Sequence, residues 1–161
     1  MNVSPFDRSR LAGSDGETRI ALHFRRWFDV EIASRDEDRS GVDMWFGYGG
    51  LRIPVQVKTE ALPAKTNNFF IETVSNDRTG APGWALTPRA DFVLYYVPPW
   101  NTVFVIPMRF ITDRLAEWKR RYATRPTRDE LNNGYQTWGI CVPVAEFADC
   151  EKVRLRTESD G

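Results

Sequence analysis

The segment from Gly41 to Lys58 constrains the fold of this chain more than any other. Two apolar-rich stretches, Gly41–Phe46 and Leu51–Lys58, flank the glycine-rich run Gly47-Tyr48-Gly49-Gly50. That pattern predicts a β-hairpin. Gln56 and Lys58 are two residues apart and therefore share one face of the second strand, with Val55 and Val57 on the other. Asp43 falls near the outer end of the first strand, where a residue of the second strand would meet it across the ladder. A carboxylate, an amide and an ammonium are thus expected to converge at the open end of the hairpin. Such a grouping suits a divalent cation beside a phosphate.

The rest of the chain alternates between helical and extended patterns. Ser14 and Glu17 have the spacing of a capping box, and Ile20, Phe24, Trp27 and Phe28 follow at helical intervals, predicting a helix over 15–27. Val30, Ile32 and Ala33 predict a short strand, with the polar run from Asp36 to Ser40 as its loop. Residues 59–68 read as a loop, 69–74 as a strand, and 77–84 as an exposed turn. Two buried strands are expected over 90–97 and 102–106. Ile111, Leu115, Trp118 and Tyr122 predict a helix over 108–122, and further strands are expected near 137–142 and 153–156. Residues 1–13 read as loosely held. The expected architecture is α/β, a central mixed sheet flanked by helices, within a single domain spanning residues 1–161.

On these residues, roughly 14 to 107, the chain resembles the PD-(D/E)XK nuclease superfamily in the form where glutamine replaces the second acid. The matching elements are Glu17 on the first helix, Asp43 on the first hairpin strand, and Gln56-Val57-Lys58 on the second. The later run Glu72…Ser75…Gly83-Trp84…Ala90-Asp91 is similar to one found in several members. The resemblance is to intron-encoded homing endonucleases and to Holliday junction resolvases. It implies a restriction-endonuclease-like core and a metal-dependent DNA endonuclease, either site-specific or structure-specific. Asp43, a Gln56 side-chain oxygen and the Val57 carbonyl would hold Mg²⁺, with Mn²⁺ as a substitute, and Glu17 would bind it directly or through water. Lys58 would orient or help deprotonate the attacking water. The partner would be double-stranded or branched DNA. The protein would act as a homodimer or higher oligomer, because one site cuts one strand. Tyr48, Arg52, Arg78, Lys119 and Arg120 are the expected DNA contacts. A phage or mobile-element origin would suit the resemblance.

Charge and composition narrow the alternatives. A formal net charge of zero argues against a general DNA-coating protein. The charge is uneven, with six acids between residues 29 and 43 and seven bases between 109 and 128. His23 is the single histidine, which excludes chemistry built on several histidines, and its place in the first helix reads as packing or surface. Cys141 and Cys150 lack metal-ligand spacing and read as free thiols in a reducing cytoplasm. No apolar run is long enough for a membrane span. Glu72 reads as an exposed sheet residue or as a side chain reaching the site. Trp84 reads as a nucleic-acid contact or as folded back on the sheet. Two other readings compete with the endonuclease: a catalytically silent nuclease fold that binds nucleic acid or protein, and a structural oligomer component joined through aromatic strands.

Overall fold

Strand Leu51–Thr59 is the pivot of the main sheet, because its neighbours on the two sides run in opposite senses. In the computed structural model, which describes residues 5–127 and 134–157, the elements follow in this order. Helix α1 (Pro5–Phe24) leads to strand β1 (Asp29–Ile32), the short helix α2 (Arg35–Arg39), and the hairpin β2 (Met44–Tyr48) and β3 (Leu51–Thr59). A single-turn helix α3 (Pro63–Thr66) precedes β4 (Asn68–Asn76) and the two-residue β5 (Ala81–Pro82). Strands β6 (Phe92–Val97) and β7 (Thr102–Pro107) feed helix α4 (Met108–Arg121), then β8 (Thr124–Pro126), β9 (Trp138–Pro143) and β10 (Glu151–Arg154).

The strands form two sheets. The larger has six in the order β1-β2-β3-β6-β7-β10, with β3 and β6 parallel and every other pairing antiparallel. The smaller has four, β5-β4-β9-β8, all antiparallel. The central mixed sheet with flanking helices agrees with the expected α/β class. The hairpin turn is Gly49-Gly50, with φ of 56° and 82°. Two consecutive left-handed residues make the tight turn that matches the strand twist, and glycine adopts it without a Cβ penalty.

Each face of the large sheet buries its own core. On one face Ile20, Ala21 and Phe24 of α1 pack on Val30, Met44, Phe46, Val55, Val57, Leu94 and Tyr96. On the other, Val93, Tyr95 and Ile106 meet Phe69, Ile71, Ile140 and Val142 of the small sheet, together with Ile111 and Trp118 of α4. Trp118 is 1% exposed and lies 5.3 Å from the Phe147 ring. Trp118→Ala is expected to cost about 3–5 kcal/mol in chemical denaturation. Trp27→Ala, at a residue 56% exposed, should cost less than about 0.5 kcal/mol.

Several boundaries differ from those read in the sequence. Helix α1 begins at Pro5 rather than near residue 15, so Ser14 lies inside the helix and not at its N-cap. It ends at Phe24, and Arg25–Trp27 form the turn that follows. The hairpin turn is two residues rather than four, because Gly47 and Tyr48 belong to β2. Asp36–Ser40, expected as a loop, is mostly helix α2 with a true capping box between Ser34 and Glu37. Residues 59–68, also expected as a loop, contain α3. Arg128 of the basic segment, like residues 1–4 of the N-terminal stretch, lies outside the described residues.

Candidate active site

Asp43 owes its position to a local irregularity. Its N–H bonds the Val55 carbonyl at 2.9 Å, although Val55 is the registered partner of Met44. Two residues of one strand therefore oppose one of the other, as in a β-bulge, a device that re-aims a side chain near functional sites. The Asp43 carboxylate reaches past that step, and its Oδ2 accepts the Val57 N–H at 2.6 Å. The chain enters this geometry through α2. Glu37 Oε2 accepts the Ser34 N–H at 2.8 Å, Glu37 Oε1 accepts the Trp45 indole N–H at 3.1 Å, and the Glu37 carbonyl accepts the Val42 N–H at 3.0 Å. That clamp holds Asp38, the next residue, within hydrogen-bonding reach of the Asp43 side chain.

Burial pushes the Asp43 carboxyl up from 3.8 to about 7. The Val57 N–H and Lys58 oppose the rise, while Asp38 and Glu17 add to it. Glu17 is itself raised, first by burial and then by Asp38, with Lys58 opposing. Helix α1 delivers Glu17 by coming very close to the end of β3 at Gly16, where a Cβ would collide with the Thr59 side chain. Like charges held together in a half-buried place keep a proton or recruit a cation.

Lys58 faces a second pair of carboxylates. Glu60 follows it by two residues on the same side of the chain and accepts the Tyr95 O–H at 2.6 Å. Burial raises the Glu60 and Glu72 carboxyls, and Lys58 opposes both shifts. The Lys58 ammonium also lies 5.7 Å from the centre of the Trp84 ring. Lys58 is thus the cation that offsets four half-buried carboxylates, Glu17, Asp43, Glu60 and Glu72. Asp38 and Glu60 were missed by sequence reasoning. The Ser34-x-x-Glu37 spacing was a legible sign of the helix that positions Asp38, and the alternation Gln56, Lys58, Glu60 was a legible sign of the other.

Gln56 is 6% exposed, with its amide beside Gly41, and no hydrogen bond joins it to Asp43 among the described residues. Glu72 stands beside Gly83 and Trp84, and Trp84 is folded back into the core rather than exposed. Tyr48 sits exposed at the hairpin end, where its ring meets Phe28. Arg52 stacks on Trp45 at 3.9 Å and pairs with Glu31 at 3.4 Å. Arg78 lies exposed in the turn before β5, and Lys119 and Arg120 are exposed in the last turn of α4. These five belong to three separate regions of the surface.

Among the described residues, no three His, Cys, Asp or Glu side chains converge tightly enough to hold an ion by themselves. Mg²⁺ asks for less: it takes oxygen donors, keeps several waters and is bound through one or two carboxylates. The Asp43 carboxylate, Glu17 and the Gln56 amide oxygen are donors of that kind. The set fits Mg²⁺ or Mn²⁺ and lacks the sulfur and imidazole that zinc favours.

Neither a protein-family model nor a curated protein sequence matches the chain. Among solved structures it is similar to a bacterial homing endonuclease, I-Ssp6803I, at 21% identity. The match covers 64% of this chain and 67% of the other, with a TM-score of 0.48. No helix among the described residues is long and apolar enough to cross a membrane.

Proposed function

We propose that this protein is a metal-dependent DNA endonuclease of the PD-(D/E)XK type, acting as a single domain in a homodimer or higher oligomer. The observation that carries the reading is the convergence on Lys58 of half-buried carboxylates from α1, the bulge and the neighbouring strands, with Asp43 clamped by the Val57 N–H. Asp43, Glu17, the Gln56 side-chain oxygen and the Val57 carbonyl would hold Mg²⁺ or Mn²⁺. When bound, the ion supplies charge relief on the phosphate and a more acidic water. Lys58 stands beside the same place and offsets charge building on the phosphate oxygens, and it orients the attacking water or helps deprotonate it. Glu60 and Trp84 hold the Lys58 ammonium in position, by charge and by its ring face. Tyr48, Arg52, Arg78, Lys119 and Arg120 would contact DNA, the cations chiefly through phosphate.

Supercoiled plasmid, linear duplex and four-way junction DNA, each with Mg²⁺, Mn²⁺ or EDTA, test the proposal. Cutting should require the metal, and Lys58→Ala should slow it by about a hundredfold or more. The preferred substrate separates the site-specific branch from the structure-specific one. Cutting that survives both EDTA and Lys58→Ala would refute the mechanism.

A second reading, a nuclease fold that binds nucleic acid without cutting it, is favoured by one feature. Gln56 brings no charge, and among the described residues no three acidic, imidazole or thiol ligands converge. Mg²⁺ calorimetry on the wild type and Asp43→Ala separates the two. Binding that depends on Asp43 favours the enzyme, and none favours the silent fold.

A further inference from the structure

A cleft of about 530 Å³ opens beside α1, away from the Lys58 cluster in its lining residues, and three arginines gather around it. Arg19 and Arg26 stand seven residues apart on and just after α1, with His23 between them, and Arg156 comes from the segment after β10. No carboxylate of residues 15–127 or 134–157 lies within ion-pairing distance of any of the three. Among the described residues, Asp15 is the one acid on the cleft wall.

The arrangement is built rather than incidental. Arg19 donates from Nη1 to the Tyr96 hydroxyl at 2.6 Å and from Nη2 to Asn101 Oδ1 at 3.1 Å. Asn101, in a left-handed conformation with φ 47°, also donates from Nδ2 to the Leu155 carbonyl at 2.7 Å and accepts the Leu155 N–H at 3.0 Å. One asparagine therefore fixes Arg19 and the backbone that leads into Arg156. The Arg156 N–H in turn donates to His23 Nδ1 at 3.3 Å. Arg26 donates from Nε to the His23 carbonyl at 3.1 Å and stacks on the Trp27 ring at 4.2 Å. A guanidinium has five N–H donors. The two bonds from Arg19 leave most of its fork unspent, and the Arg156 side chain makes no bond to another described residue. Burial first, and then Arg26 and Arg156, hold His23 below the usual histidine range.

We infer that this cleft is a binding site for phosphoryl oxygens, separate from the Lys58 centre. Planar forks without a carboxylate partner, two of them (Arg19 and Arg26) held by side-chain hydrogen bonds, suit the bidentate recognition of phosphate. Two sources share that chemistry: a free phosphate or phosphomonoester, and the backbone of a nucleic-acid strand. Trp27 and Leu22, both exposed beside the arginines, offer an apolar surface on which a base would stack.

His23 is the only histidine in the chain, so its ring resonances report on the cleft without assignment ambiguity. Inorganic phosphate and a short single-stranded oligonucleotide are each titrated into the protein in chloride buffer, following the His23 ring by NMR. Saturable shifts are expected, with a rise in the His23 pKa as the anion relieves the arginines. Arg26→Ala with Arg156→Ala should weaken the affinity about tenfold or more, while Lys58→Ala should leave it unchanged. Response to phosphate alone identifies a free anion as the ligand. Tighter oligonucleotide binding, whose salt slope falls in the double variant, identifies a strand. The inference is overturned if neither titrant moves His23, if the folded double variant binds as the wild type does, or if Lys58→Ala abolishes the response. The reading of the Lys58 centre would stand in each of those cases.

Discussion

Asp43→Asn is expected to make the protein more stable above neutral pH while removing the proposed metal-dependent cleavage. The Asp43 carboxyl titrates at about 7 in the fold against 3.8 as its ordinary value. A carboxyl raised in this way is accommodated better as the neutral acid. Its contribution is therefore fully favourable below pH 3.8 and is lost as the pH climbs through 7. A shift of this size corresponds to an upper bound of about 4 kcal/mol. Asp43 is only partly enclosed, and solvent screening reduces the expected effect to about 2 kcal/mol. Asparagine keeps the shape, and its oxygen still accepts the Val57 N–H. Its amide donates towards Asp38, where the proton would otherwise sit. At pH 8 without divalent metal, the variant should melt about 4–8 °C above the wild type. At pH 4 the two should melt together. Added Mg²⁺ should raise the wild-type melting temperature and leave the variant unmoved, because only the wild type keeps the charged ligand. Equal melting temperatures at pH 8 would show that burial and the neighbouring acids do not disfavour the Asp43 carboxylate as the geometry requires. Glu17, Glu60 and Glu72 are raised too, so some loss of stability towards high pH should persist in the variant.

The same residue shows where reading the sequence stopped. The hairpin was legible because β2 and β3 are apolar and the Gly49-Gly50 turn is local. Helix α4 was legible because Ile111, Leu115 and Trp118 mark one stripe. The bulge at Asp43 has no signature in the sequence, so the carboxylate expected to meet a partner of the second strand across the ladder does so through the Val57 N–H, a contact the motif does not specify. The start of α1 escaped because residues 5–13 carry no apolar stripe to announce a helix. The small sheet escaped for a different reason. Its central pairing sets Glu72 against Gly139, and so long a separation leaves no trace in local periodicity. The acids around Lys58 divide the same way. Glu17 and Asp43 came from a motif, whereas Glu60 meets its partner Tyr95 only because β3 and β6 run parallel, with Lys58 in register with Tyr95. Trp84 was open between surface and core, and the contact of its loop with β4 decides for the core.

That contact makes Gly83→Ala the most damaging single methyl that can be added to the chain near the site. A Cβ on Gly83 would stand 2.5 Å from the Glu72 carbonyl oxygen, 2.6 Å from its carbon and 2.7 Å from its Cγ. Two of these atoms are backbone in the strand that pairs with β9, so no rotamer change makes room. The loop cannot simply slide, because the Gly83 N–H bonds the Thr73 carbonyl at 2.9 Å and the Ala85 N–H bonds the Glu72 carbonyl at 3.2 Å. Either β4 or the loop must give, and the loop, lying at the sheet edge, is held by less. Lifting it withdraws Trp84 from the core and from the Lys58 ammonium, so overpacking and lost burial act together. The expected cost is about 3 kcal/mol or more, a fall of about 6–12 °C in melting temperature. Tryptophan fluorescence should shift to the red, and activity should fall with it. Gly50→Ala is the control. A Cβ there meets nothing within 4 Å, and only the φ of 82° opposes it, for about 1–2 kcal/mol. If Gly83→Ala proves no more costly than Gly50→Ala, the loop does not rest on β4 as closely as described. Trp84 would then lose its claim to position Lys58.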